Sequence, residues 1–273
     1  MASSEKATAI ILRVVDFSET SCVVTLFTRE FGKLSGLAKG ARRLKGPFES
    51  ALDLLALCRI VFLPRSGDAL NLLTEAKLER RFRPNKGSLA CLYASYYIAE
   101  LLTELTDHDD PHQRLFDLAE QTLVELAHGG PVPVFVLRFE LMSLRILGHL
   151  PSLEQCVGCG TTVSNGIQSR NQEGFTNMGA RRAHPTTRDS RERRLSFSLL
   201  EGGVLCRTCR PGKRQVVSVS NTTIDILRQF ARPDSDDFRR LPITAATGGE
   251  LRAVLNQYLN HLIGKQLRMH AYL

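Results

Sequence analysis

Apolar and polar positions over roughly the first eighty residues recur with a period of two, as in half-buried strands. Residues 9–15 and 22–28 are rich in Ile, Val, Leu, Thr and Phe, and 34–38 resumes the pattern after the turn Glu30-Phe31-Gly32-Lys33. Residues 57–63 and 69–78 flank Arg65-Ser66-Gly67-Asp68, a hairpin signal. Five strands in about eighty residues predict a small closed barrel. An OB-fold fits, and an SH3-like barrel shares the pattern.

The period changes after a charged boundary, Glu79 to Gly87, that ends in Pro and Gly. Leu89, Leu92, Tyr96, Ala99 and Leu102 recur at helical spacing, predicting a helix over 88–105. Leu115, Leu118, Thr122 and Leu126 mark a second helix, stopped at His128-Gly129-Gly130. Pro131 starts a third, running to about Leu147 and apolar on most faces, as in a buried central helix. Its Arg138, Glu140 and Arg145 argue against a membrane span. Ser196 to Leu199 reads as a short strand. Helical spacing returns at Ile224, Leu227 and Phe230, and again from Leu251 to Ile263. Tyr93, Tyr96 and Tyr97 suit core and edge packing. His108 and His112 flank an acidic turn that reads as a solvated helix start.

Two Cys-x-x-Cys pairs lie between these helical stretches, Cys156/Cys159 and Cys206/Cys209. Each pair aims two thiolates at one point, and two pairs complete the four ligands of a closed tetrahedral zinc site. Gly158 and Gly160 suit the turn. Two disulfides, or loop cysteines with no shared role, are the alternatives. A disulfide framework needs an oxidising compartment, and the N-terminus lacks a signal-peptide layout. Cys22, Cys58 and Cys91 fall in apolar segments and read as core. The expected location is the cytoplasm.

Lys plus Arg number 36 against 28 acids, giving +8 and a pI near 9.3, so an acidic partner is expected. The charge is uneven. Between Glu30 and Glu49 there is no acid, while Lys33, Lys39, Arg42, Arg43 and Lys45 are cationic and Gly36, Gly40 and Gly46 let the backbone bend. Such a segment suits phosphate oxygens; a solvated loop is the plainer reading. It lacks the P-loop register. Residues 164–194 hold seven arginines (170, 181, 182, 188, 191, 193, 194) against Glu173, Asp189 and Glu192. This polar segment predicts a mobile basic insertion, either inert or an electrostatic arm.

Several segments together resemble the bacterial recombination mediator family RecO. They are GKLSGLAKGARRLK (32–45), ASYYIAEL (94–101), RFELMSLRILG (138–148) followed by Pro151, the two cysteine pairs with their glycines, and LIGKQLR (262–268). The likeness is collinear over nearly the whole chain. It implies an α+β multidomain chain: an N-terminal OB-fold barrel over 1–80, then a mostly α-helical domain over 81–154 and 215–273. A four-cysteine zinc module is embedded at 155–214. It implies binding of single- and double-stranded DNA, annealing of complementary strands, and recombinase loading together with RecR on DNA coated by single-strand-binding protein. Lys39, Arg42, Arg43 and Lys45 become DNA contacts, and Cys156, Cys159, Cys206 and Cys209 ligands of a structural zinc. The spacing between the cysteine pairs departs from the family through the arginine-rich insertion.

Three function classes follow. A non-catalytic DNA-binding and annealing factor uses cations to overcome phosphate repulsion while base pairing selects the partner strand. The absence of Trp argues against a strong stacking platform, although Phe31 and Phe48 flank the basic loop. A zinc deaminase needs His-x-Glu and an open coordination position, and none of the seven histidines is followed by x-Glu. The third class is an interaction scaffold. The acidic tail of a single-strand-binding protein would suit a helical groove walled by Arg138 and Arg145.

Overall fold

The protein is described from a computed structural model that covers residues 3–43, 46–48, 51–65, 67, 69–85, 87–163, 194–233 and 235–273. Lys45 and all of the basic insertion except Arg194 lie outside these residues.

Five strands form the N-terminal region: β1 (Glu5–Asp16), β2 (Cys22–Thr28), β3 (Gly32–Ala38), β4 (Leu57–Leu63) and β5 (Asn71–Arg80). They close in the order β1-β2-β3-β5-β4, with β1 antiparallel to both β2 and β4. The closure is parallel, β3 on β5, from Gly36↔Asn71 to Ala38↔Leu73. This is OB-fold connectivity, and it removes the SH3-like alternative. Alternate side chains fill the interior, among them Ile11, Val24, Leu26, Ile60, Phe62 and Leu73. Phe48 also packs there, and Phe31 lies against the same core, edge-on to Phe62 at 5.4 Å. Both aromatics flanking the basic loop therefore serve the barrel core.

Three helices follow: α1 (Leu89–Leu105), α2 (Gln113–Ala127) and α3 (Val132–Ile146). Ser88 caps α1, its Oγ accepting from the Cys91 amide at 3.2 Å. From Phe135 to Leu144 every residue of α3 except Arg138 is buried. Its one buried acid, Glu140, accepts a 2.5 Å bond from the hydroxyl of Tyr97, itself fully buried. The barrel joins these helices through Arg29–Asp117 and Arg80–Glu120, each at 2.8 Å. Gly32 turns β2 into β3 with φ +70°, and a Cβ there would lie 2.1 Å from the Asp110 carbonyl oxygen. Only glycine allows that approach.

The chain divides into two compact units. One contains Met1–Leu150, Phe230–Arg240 and Leu259–Leu273; the other contains Pro151–Gln229 and Leu241–Tyr258. The second unit is built on a three-stranded antiparallel sheet, with β6 (Arg194–Ser198) between β7 (Gly203–Leu205) and β8 (Val216–Ser220). The sequence pattern anticipates only β6. Two helices complete the order, α4 (Asn221–Phe230) and α5 (Ala245–Ile263). Ser220 caps α4 through the Thr223 amide. Glu250 of α5 accepts from the Ser220 amide and hydroxyl, the Thr223 hydroxyl and the Arg194 guanidinium. Burial pushes the Glu250 carboxyl up, but these donors outweigh it and hold it below its ordinary value. Among the described residues no helix is long and apolar enough to cross a membrane.

Candidate metal centre and candidate nucleic-acid interface

The four cysteines of the second unit converge. Cys156, Cys159, Cys206 and Cys209 place their sulfurs within 4.8 Å of one another, with 3.7 Å between Cys159 and Cys206. Tetrahedral zinc with bonds of about 2.3 Å sets its sulfurs roughly 3.8 Å apart, so the donor set fits. Two matching turns create it. Gly160 N–H donates to the Cys156 carbonyl at 2.8 Å, and Arg210 N–H donates to the Cys206 carbonyl at 3.1 Å. Gly160 has φ +72°, as the turn demands. Gly158 serves differently from the turn role expected of it. Its φ is not positive; a Cβ would sit 3.1 Å from the Cys209 sulfur.

The electrostatics of the cluster favour a cation. Burial raises the Cys156 thiol, yet backbone N–H groups of Cys206, Gly158 and Cys159 bring it down to about 6. Cys209 is pushed up to about 12 by the neighbouring sulfurs of Cys206 and Cys159. Cys159 is lowered as well, chiefly by hydrogen bonds from Thr161, so it is charging the full set, Cys209 included, that the sulfurs already present oppose. A divalent ion removes that opposition by neutralising the charge. The clamp that holds the first pair is Arg228 of α4. Its Nε and Nη2 donate to the Leu153 carbonyl at 3.0 and 2.6 Å, and Nη2 also reaches the Val163 carbonyl at 3.1 Å. Cys22, Cys58 and Cys91 are buried, as expected.

In the first unit the cationic segment is resolved into residues of different roles. Lys39 and Arg43 are exposed just beyond β3, and neither has an ion-pair partner among the described residues. Arg43 closes a turn on Gly40, donating its amide to the Gly40 carbonyl at 3.1 Å. Arg42 is exposed but engaged. Its guanidinium lies 3.0 Å from Asp16, and its amide donates to the Thr20 carbonyl. The loop is thereby tied to the β1–β2 turn. Lys33, expected as a phosphate contact, is corrected by the structure: it is 8% exposed. Its ammonium donates to the carbonyls of Thr103, at 2.6 Å, and Thr106. It caps the negative end of α1, whose last turn has no basic residue of its own. Burial lowers its pKa, against the opposing pull of Asp107 and Glu104.

Arg138 and Arg145 also turn out to be structural ties. Arg138 donates to the carbonyls of Phe230 and Pro233, at 2.6 and 3.0 Å, and stacks over Phe238 at 4.7 Å. Arg145 donates to the Ala231 carbonyl at 2.7 Å. Arg138 nonetheless lines a cleft of about 360 Å³ whose apolar floor includes Phe135, Met142 and Phe238. Arg114 and Arg239 also line it, together with Asp117, Glu125 and Asp236, and Arg239 is paired with Glu125 at 2.7 Å. Of the two arginines expected to wall a groove, Arg138 lines this cleft and Arg145 does not, while Arg239 reaches it from about a hundred residues downstream. His112, in the acidic turn, lies 2.9 Å from Asp110.

A five-stranded OB barrel leading into helices, in a chain that also converges four cysteines on one point, places the protein among the multidomain OB-barrel proteins with a four-cysteine cluster able to hold a metal ion. The comparisons narrow this. Residues 1–82 match the family model "Recombination protein O N terminal" and 87–270 match "Recombination protein O C terminal". A DNA repair protein RecO of Rhodopirellula baltica is 41% identical over 287 residues, covering 97% of each chain. Another, of Anaeromyxobacter dehalogenans, is 31% identical and covers 98% of this chain and 95% of its own. A third, of Halalkalibacterium halodurans, is 26% identical over 98% of this chain. The chain belongs to the RecO family of DNA repair proteins.

Proposed function

We propose that the chain is a non-catalytic recombination mediator that binds single- and double-stranded DNA and anneals complementary strands. The observation that carries this reading is the pair Lys39 and Arg43, exposed and without ion-pair partners among the described residues, beside the β1–β2 turn of an OB barrel. OB-folds commonly bind nucleic acid on this face, and unpaired cations there suit phosphate. Lys45, outside the described residues, extends the same contact surface, and Arg42, paired with Asp16, stands in reserve beside it. The arginine-rich segment 164–194 adds a sequence-independent electrostatic arm. One structural zinc ion, held by Cys156, Cys159, Cys206 and Cys209, stabilises the second unit.

The partners proposed are RecR and single-strand-binding protein, with recombinase loading as the outcome and the nucleoid-bearing cytoplasm as the location. The tail of single-strand-binding protein is assigned to the cleft floored by Phe135, Met142 and Phe238, whose lining mixes Arg114, Arg138 and Arg239 with Asp117, Glu125 and Asp236. Annealing of complementary oligonucleotides, one coated by single-strand-binding protein, tests the reading. The variant with Lys39, Arg42 and Arg43 all changed to Ala is expected to anneal at least tenfold more slowly. Unaltered annealing removes the loop from the mechanism.

A further inference from the structure

The most exposed large apolar side chain among the described residues is Phe17, at 64%. It stands on a projecting arm. β1 leaves β4 after Ile10, is offset by a bulge between Ile11 and Arg13, and from there to Asp16 pairs with β2 alone. Val14 and Val15 on this arm are also exposed, at 37% and 42%. The turn at its tip is closed by three hydrogen bonds. Phe17 and Ser18 amides donate to the Ser21 carbonyl at 3.0 and 3.1 Å, and the Ser21 amide donates to Ser18 Oγ at 3.2 Å. The backbone is thus fixed while the aromatic ring remains in water. The neighbouring residue, Asp16, holds Arg42, and Thr20 receives the Arg42 amide. An exposed ring and the cationic loop are therefore locked to one another.

We propose that Phe17 is a stacking residue for a single nucleobase of single-stranded DNA, positioned by the phosphate contacts of Lys39 and Arg43. This rests on the DNA-binding reading above. The geometry suits an unpaired nucleotide: its charge meets the cations, and its base has a flat apolar face for the ring. Glu19 at the tip disfavours phosphate there, so the base and not the backbone reaches Phe17. Bases within a duplex are already stacked on one another and offer the ring no face. The contact consequently discriminates single strands from duplex, a distinction that cations alone make poorly.

The chain contains no tryptophan, so Phe17→Trp introduces a single fluorescent reporter at the contact. Titration of that variant with oligo(dT) is expected to quench its emission. Phe17→Ala is expected to bind the same oligonucleotide about 5- to 160-fold more weakly, the range for loss of one base–aromatic stack. Its salt slope and duplex affinity stay as in the unmodified protein, and Phe17→Tyr restores binding. Equal weakening on duplex and single strand, or unquenched tryptophan with unchanged Phe17→Ala binding, overturns the stacking role while leaving DNA binding in place. Absence of oligonucleotide binding by the unmodified protein overturns both.

Discussion

The Asp16–Arg42 pair leads to a gain-of-function prediction. Removing an acid from a protein of net charge +8 is unremarkable, but this acid occupies a guanidinium beside the proposed DNA contacts Lys39 and Arg43. The pair is 3.0 Å long, with the two side chains 50% and 69% exposed. At that exposure it contributes about 0.2–1 kcal/mol to stability, so Asp16→Asn should fold normally. On DNA the change is larger. Arg42 becomes available for one further phosphate, and each phosphate contact on a single strand adds about 0.7 to the slope of log K against log salt. Between 50 and 200 mM salt one extra contact therefore adds a roughly 2.5-fold further loss of affinity. Binding at the lower salt should strengthen several-fold. Fluorescence anisotropy of a labelled oligonucleotide across a salt series measures both quantities. Weaker binding by Asp16→Asn, or an unchanged slope, refutes the argument that Arg42 is held in reserve by its partner.

The metal centre predicts about one equivalent of zinc per chain, released by a thiol-reactive mercurial. Cys159→Ser, at the exposed ligand, should retain less than half an equivalent by elemental analysis. Glu250 has a folded pKa below its ordinary value of 4.5, so its stabilising effect is complete above that value and is lost as pH falls through the lower one. Glu250→Gln should cost about 2 kcal/mol at neutral pH by denaturant unfolding and flatten the acid limb of the stability profile. Gly32→Ala, which places a Cβ 2.1 Å from the Asp110 carbonyl, should destabilise the protein by about 2–4 kcal/mol; an unchanged midpoint would show that the turn relaxes freely.

How much of this was legible depended on how far apart the interacting residues lie. Strands β2 and β4 have the limits that their apolar pattern predicts, because a half-buried strand writes its own period into the chain. The four cysteines were equally plain, since chelation demands short fixed spacings. By contrast, β7 has three residues, too few to establish a period, and β8 was masked by its basic approach. The choice between barrel types rested on the parallel β3–β5 pairing, which has no local signature. Lys33 shows the same limit more sharply. It looked like one more cation of the loop, but its partners are carbonyls 70 and 73 residues away. Phe17 was overlooked because a lone aromatic in a turn has the same local pattern whether it is buried or exposed.

Arg228 and Glu250 have a consequence for how such a chain tolerates change. One holds the Val163 carbonyl, after the first cysteine pair, and the other holds the Arg194 guanidinium, before the second. Both anchors belong to the unit that contains the thiolates, so each flank of the donor set has its own tie there. Halving or doubling a segment closed by such ties changes stability by only about 0.6 kcal/mol. A long connection between the two halves of one donor set therefore costs the fold little.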